Sequence, residues 1–274
     1  MILLSLSIIQ RALIGCLLAG FLTGLVGVFV VRMKLTSTGF CMSHAAFAGA
    51  SLGVALTWSP IGLAFMFSAA VASVIGPVAD KAKLHADTIM SIAFPLNMAL
   101  AFVFLTMAPG VTKLTGEVTT VLWGSVLSIG SNDLAYLAVV SAATLSIFYL
   151  FWKEFFAIMF DRRMAEADGI NTKPFVYLTI FIVGVVVTLS LKLVGGLLVF
   201  ALLVNPASTA FQFLYDLKKI AVASPLIGTA TCTAGLVVSL FLNWPVGACV
   251  VIVSTLCFAS AVLLSPKRRR KGGE

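Results

Sequence analysis

Carboxylates are scarce in this chain. Ten Asp and Glu residues serve 274 positions, and most fall between apolar runs rather than within them. No pair of them occupies an expected membrane span. That argues against a proton-coupled secondary transporter and an intramembrane hydrolase, which commonly use buried ionisable groups. Histidine is scarcer still, with His44 and His85 alone. The sequence holds no HExxH motif and no Ser/His/Asp set that can be placed together, so no enzymatic centre is legible. It also lacks a GxxxxGK[ST] phosphate loop, so any ATP used must be bound by another chain. The cysteines (Cys16, Cys41, Cys232, Cys249 and Cys257) are odd in number, lie in apolar segments and form no CxxC. Neither a disulfide framework nor a zinc ribbon follows from them. The first apolar run lacks a charged start and is too long for a cleavable leader.

What the chain has in abundance is apolar length. It is 61% hydrophobic and 10% charged, against about 25% charged in soluble domains. Segments of about 20 apolar residues cross a bilayer as helices. Nine such segments are expected: 10–31, 41–57, 60–79, 88–108, 134–152, 175–191, 194–213, 220–241 and 245–264. An eight-span version would merge or demote one segment near 41–79. Residues 118–129 form a further apolar piece too short to span. The fold class is therefore all-α, a polytopic membrane helical bundle of about 8–9 transmembrane helices. One membrane domain covers 1–265, and a basic tail covers 266–274.

The cations orient it. Alternate connections hold Arg32 and Lys34; Lys81 and Lys83; Lys153, Arg162, Arg163 and Lys173; Lys218 and Lys219; and Lys267 to Lys271. These are 15 of the 18 Lys and Arg residues. The asymmetry puts these connections and the C-terminus in the cytoplasm, and nine spans then put the N-terminus outside. The polybasic tail reads as a topology signal with affinity for anionic lipid, not as a nucleic-acid site.

Three stretches carry candidate chemistry. In 31–53, His44 lies inside an apolar span, where an ionisable residue is a functional candidate by default. Cys41 and Ser43 lie beside it, and Cys41 and His44 share a helix face at i, i+3. Thiolate and imidazole suit zinc-like ions, although a buried cysteine usually behaves as a small hydrophobe. The pairs Gly20/Gly24 and Gly49/Gly53 have the spacing that lets helices approach, so the first two helices are expected to pack together. In 194–213, Asn205 precedes Pro206, an expected kink that either lines a pathway or is purely structural. Finally, the long cytoplasmic connection 153–174 contains a short helix from Asp161 to Gly169. Asp161 caps it and Gly169 ends it. Met164, Ala165 and Ala167 form an apolar patch among Arg162, Arg163 and Glu166, and a helix this short needs docking to persist.

Several of these stretches, in order, resemble the permease subunits of the zinc/manganese/iron ABC importers. Arg32-Met33 with Ser43-His44-Ala45 resembles that family's signature second helix. Asp87-Thr88-Ile89-Met90-Ser91-Ile92, Leu122-Trp123-Gly124-Ser125 with Asp133, and Phe160 to Ala165 with Gly169-Ile170 resemble later landmarks. So do Val194-Gly195-Gly196, Pro206-Ala207-Ser208-Thr209-Ala210 and Pro245-Val246-Gly247-Ala248. The resemblance covers nearly the whole chain. It implies a type II ABC importer-like fold in the cell inner (cytoplasmic) membrane. The assembly would be a homodimer with two ATP-binding subunits and an extracytoplasmic substrate-binding protein. ATP and Mg would bind the partner subunit, no cofactor would bind this chain, and a divalent transition metal would be the cargo. Asp161, Arg162, Arg163, Met164, Ala165, Glu166 and Gly169 would insert into a cleft on the ATPase.

In that family an Asp and a His one turn apart face the pathway. The His position is His44 here, and the Asp position is Phe40. Phenylalanine supplies neither charge nor oxygen ligation. Two alternatives follow. Either His44 acts with softer neighbours such as Cys41, or the same machinery carries a metal chelate or another small solute. Ser43 and Asn205 are the remaining candidates for the pathway lining.

Overall fold

The computed structural model describes residues 2–107, 129–195 and 199–265. These form eleven helices and no strand: α1 (Ile2–Arg32), α2 (Thr36–Ala55), α3 (Pro60–Ala82), α4 (Ala86–Thr106), α5 (Ser131–Leu150), α6 (Trp152–Phe160), α7 (Arg162–Ala167), α8 (Thr172–Val194), α9 (Val199–Phe213), α10 (Leu217–Leu242) and α11 (Val246–Leu264). The nine expected spans correspond to α1–α5 and α8–α11. Seven of these are long and apolar enough to cross a membrane. The other two are α9, which is short at 15 residues, and α2, which has the length but carries Thr, Ser and His among its alanines. The apolar piece near 118–129, apart from Ile129, and the tail 266–274 lie outside the described residues.

Turn chemistry explains several helix boundaries. Ser59 accepts a hydrogen bond from the Gly62 amide at 3.2 Å, and Pro60 occupies the first turn of α3, where its missing N–H costs nothing. Lys83 and Asn243 end α3 and α10 with positive φ. Asp133 sits in the first turn of α5, and its Oδ2 accepts the Gly130 amide at 2.8 Å. A carboxylate three residues inside the helix closes the turn from within.

The glycine pairs also depart from expectation. Gly20 and Gly24 pack on α10, not α2. A Cβ at Gly20 would lie 2.5 Å from the Gly228 carbonyl oxygen, so the backbones touch. The Ser224 hydroxyl then donates to the Gly24 carbonyl at 2.6 Å. Gly49 and Gly53 meet α3 at Leu63 and Pro60. Each small-residue face takes a separate partner because close approach depends on which backbone lies opposite, not on sequence adjacency.

The connection after α5, where a helix is expected only from Asp161 to Gly169, opens with a further helix. In α6, Phe155, Ile158 and Met159 are buried. Phe155 packs edge-on to Phe29 at 5.3 Å and to Phe148 at 5.0 Å. Phe29 and Phe148 stack at 3.7 Å, so one aromatic cluster binds α1, α5 and α6. The cationic turns after α1 and α3 and the start of α8 share one end of the bundle. Ser37 donates its amide to Asp87 at 3.0 Å, and Lys173 pairs with Asp80 at 3.0 Å.

Candidate functional site: a buried imidazole above an aromatic-walled cavity

The α2 helix is enclosed on most sides. Fourteen of its 20 residues are buried, most of them Ala, Gly, Ser or Thr. Small side chains let α3, α4 and α8 close around it, and that closure puts His44 at 3% exposure. The polar groups of α2 are satisfied locally. Ser43 donates to the Gly39 carbonyl at 2.7 Å and Ser51 to the Phe47 carbonyl at 2.9 Å. Hydroxyls bonded back to the preceding turn in this way cost little in an apolar setting.

His44 Nδ1 lies 2.9 Å from the Phe40 carbonyl. A carbonyl only accepts, so Nδ1 carries the proton. In the neutral ring the lone pair is then on Nε2, the nitrogen left for a ligand. The imidazole lies against Phe94 of α4, edge to face, with centroids 4.4 Å apart. Phe40 touches His44 at 5.0 Å, Phe94 at 4.7 Å and Phe200 of α9 at 5.3 Å. Below this cluster opens a cavity of about 340 Å³ lined by Thr36, Ser37, Phe40, Met90, Ser91, Phe94 and Phe200. Aromatic walls with a few hydroxyls suit a partly apolar solute better than a bare hard ion.

The residues proposed from sequence fall into separate settings. The Cys41 thiol is buried and accepts from Asn97 Nδ2 on α4 at 3.7 Å. Asn205 donates to Ser254 and Thr255 of α11, each at 3.1 Å. Helix α9 continues through Pro206. Among the described residues, no group of three His, Cys, Asp or Glu side chains gathers as a metal cage. Sequence reasoning missed Phe94, Asn97 and Phe200. Met90, Phe94, Asn97 and Ala101 follow helical spacing on α4, so part of that stripe was available. Phe200 gave no linear signal.

At the cationic end, α7 is a capped turn. Asp161 Oδ1 accepts the amides of Arg163 at 2.8 Å and Met164 at 3.1 Å. Gly169 has φ +85°. Its amide bonds to the Glu166 carbonyl at 3.1 Å while that of Ile170 bonds to the Ala165 carbonyl at 3.0 Å. These paired bonds are a Schellman stop. The expected apolar patch is divided: Met164 is 59% exposed and Ala165 is 2% exposed, so only Met164 of the two faces outward. Phe160, at 64%, is exposed just before it. Hydrogen bonds from Thr172 and Arg162 hold the Glu166 carboxyl below its ordinary pKa.

Residues 5–265 match the ABC 3 transport family. The chain is 32% identical over 262 residues to the manganese transport system membrane protein MntC of Listeria monocytogenes, covering 96% of this chain and 92% of that protein. It is 26% identical to the high-affinity zinc uptake system membrane protein ZnuB of Buchnera aphidicola, covering 88% and 91%. Its fold matches PsaBC from Streptococcus pneumoniae, solved in complex with Fab, with TM-score 0.82 and 26% identity over 96% of this chain and 93% of that one. A multi-pass helical bundle, an imidazole enclosed in its small-residue helix, and a family match along almost the full length agree: this chain is a membrane permease of the ABC 3 transport family.

Proposed function

We propose that this chain is half of a homodimeric permease that imports a divalent transition metal across the cell inner membrane. The cationic end of the bundle and the C-terminus would face the cytoplasm. Two ATP-binding subunits would dock on α7 there, and an extracytoplasmic binding protein would deliver the cargo on the other side. ATP hydrolysis belongs to the partner chains, so this subunit is not itself an enzyme. The observation that carries the cargo assignment is the enclosed imidazole of His44, whose Nδ1 is committed to the Phe40 carbonyl and whose ring neighbours Phe40 and Phe94 line the cavity.

The manganese and zinc named for the relatives are unequal fits. Imidazole suits zinc-like ions, while manganese favours oxygen donors, and Phe40 removes an oxygen donor. Zinc is therefore the favoured ion. A second reading, import of a metal chelate or another small organic solute, draws on the cavity. At about 340 Å³ it exceeds a bare ion's needs and falls within the range of roughly 300–1,000 Å³ typical of small-molecule pockets.

The test is uptake by the complex with its ATPase subunits in proteoliposomes, measured over zinc, manganese and ferrous iron. Loss of a metal site's outer partner already costs about 10–100-fold, so His44→Ala should cut zinc uptake by at least about tenfold in an intact complex. Wild-type uptake by that variant would reduce His44 to packing. Hydrolysis without uptake of any of these metals would favour the chelate reading.

A further inference from the structure

A chain of polar contacts joins α7, α8 and α3 at the cationic end of the bundle. Arg162 Nε donates to Glu166 Oε1 at 3.1 Å and to Thr172 Oγ1 at 3.0 Å. The Thr172 hydroxyl donates to the Glu166 carboxylate, which fastens α7 to the first residue of α8. The next residue, Lys173, lies 3.0 Å from Asp80 Oδ2 at the end of α3. One turn further, the Tyr177 hydroxyl donates to the same oxygen. The Tyr177 ring packs against α3 at Gly76, where a Cβ would come within 2.3 Å of Cε1. The opposite end of α3 is seated on α2, with Pro60 against Gly53 and Leu63 against Gly49.

We propose that Asp80, Lys173 and Tyr177 are positioning residues forming a clasp that transmits displacement of α7 through α3 to α2, the helix that carries His44. The proposal rests on the reading that α7 docks on the ATPase. Its geometry is that of a lever: α3 is held near one end by the clasp and meets α2 near the other. Stability is a poor explanation for the clasp. Lys173 and Asp80 are 56% and 38% exposed, and exposed ion pairs contribute little to folding. A link between two packed helices is instead suited to conveying a small shear.

The experiment measures metal imported per ATP hydrolysed by the complete complex in proteoliposomes. Tyr177→Phe and Asp80→Asn should each lower this ratio by about threefold or more, a scale typical of residues that modulate coupling between distant sites. The swap of Asp80→Lys with Lys173→Asp should recover part of it. The thermal midpoint of the purified complex should stay near wild type in each variant. A wild-type ratio in both single variants overturns the clasp, as does a loss of import that only follows a lowered midpoint. Met164→Asp separates the two claims, because Met164 faces outward and touches none of the clasp. If Met164→Asp uncouples import while the clasp variants do not, docking stands and the clasp falls. A wild-type ratio in Met164→Asp overturns the docking reading and the clasp with it.

Discussion

Replacing Phe40 by Asp tests the site where this chain departs from the metal-importing pattern it resembles. Phe40 makes ring contacts to Phe94 at 4.7 Å, His44 at 5.0 Å and Phe200 at 5.3 Å. Each such pair contributes about 0.5–1.5 kcal/mol, so losing three costs about 2–4 kcal/mol. Phe40 lies one turn inside the start of α2, so a carboxylate there costs less than the about 2.5–3.5 kcal/mol of a helix centre. Phe40 is half-buried, which puts the expected total for the metal-free complex at about 3–5 kcal/mol. A bound ion reverses the charge penalty, because ligand at 1,000 times its Kd returns about 4 kcal/mol. Phe40→Ala is the control, since it loses the rings without gaining charge. Thermal unfolding of purified complexes should rank Phe40→Asp below Phe40→Ala without metal and above it with saturating manganese. Uptake by Phe40→Asp should shift toward manganese, since an Asp/His pair one turn apart offers an oxygen donor. If the two variants unfold together with and without manganese, residue 40 lies off the ion's path and the reasoning fails.

Two further outcomes follow from the packing and the charges. Gly228→Leu should lower the thermal midpoint and cost about 2–4 kcal/mol from overpacking plus a lost interhelical hydrogen bond. Its Cβ would lie 2.3 Å from the Gly20 carbonyl oxygen and would part the helices that Ser224 joins; an unchanged midpoint would show that α1 and α10 slide freely. The Glu166 carboxyl is held below its ordinary value of 4.5 by Thr172 and Arg162, so the ionised form stabilises the α7 anchorage above that pH and the contribution disappears as pH falls through the lowered value. The protection of amides at 161–169 relative to their intrinsic exchange rates should therefore hold at pH 6 and fall only below about 4.5; protection already lost at pH 6 would contradict it.

Much of the bundle was legible because apolar length is a direct signal of spanning helices. The ends of α7 were legible for a different reason. An Asp cap and a glycine stop are local chemistry, fixed by residues eight apart. Partners were not legible. Gly20 and Gly24 announced a close approach but not to which helix, since Gly228 lies some two hundred residues away. The amphipathic α6 was hidden because Lys153 and Glu154 near its start, in a stretch of only nine residues, read equally well as a charged connection. At the site, His44 stood out in sequence as an ionisable group within an apolar run. Phe94 and Phe200, which turn its surroundings aromatic, are apolar residues among many and became distinct only once α4 and α9 were placed beside α2.

The contrast between α2 and α4 gives those observations a common cause. Helix α4 is apolar enough to cross a membrane, yet only 17% of its apolar window is buried. Helix α2 has 14 of 20 residues buried, yet is not among the helices apolar enough to be read as spans. In a soluble protein this order would be inverted, because the apolar helix would seek the interior. In a bilayer the outer helices carry the apolar surface, and the enclosed helix is released from contact with lipid. Release from lipid permits Ser43, His44 and Ser51 on α2, provided each finds a partner, and each bonds to a carbonyl one turn earlier. The packing demand then selects alanine and glycine around them. A low apolar content in a helix of spanning length, flanked by strongly apolar ones, thus marks the helix at the centre of the bundle. In this chain the same helix carries the imidazole that is the best candidate to meet the cargo.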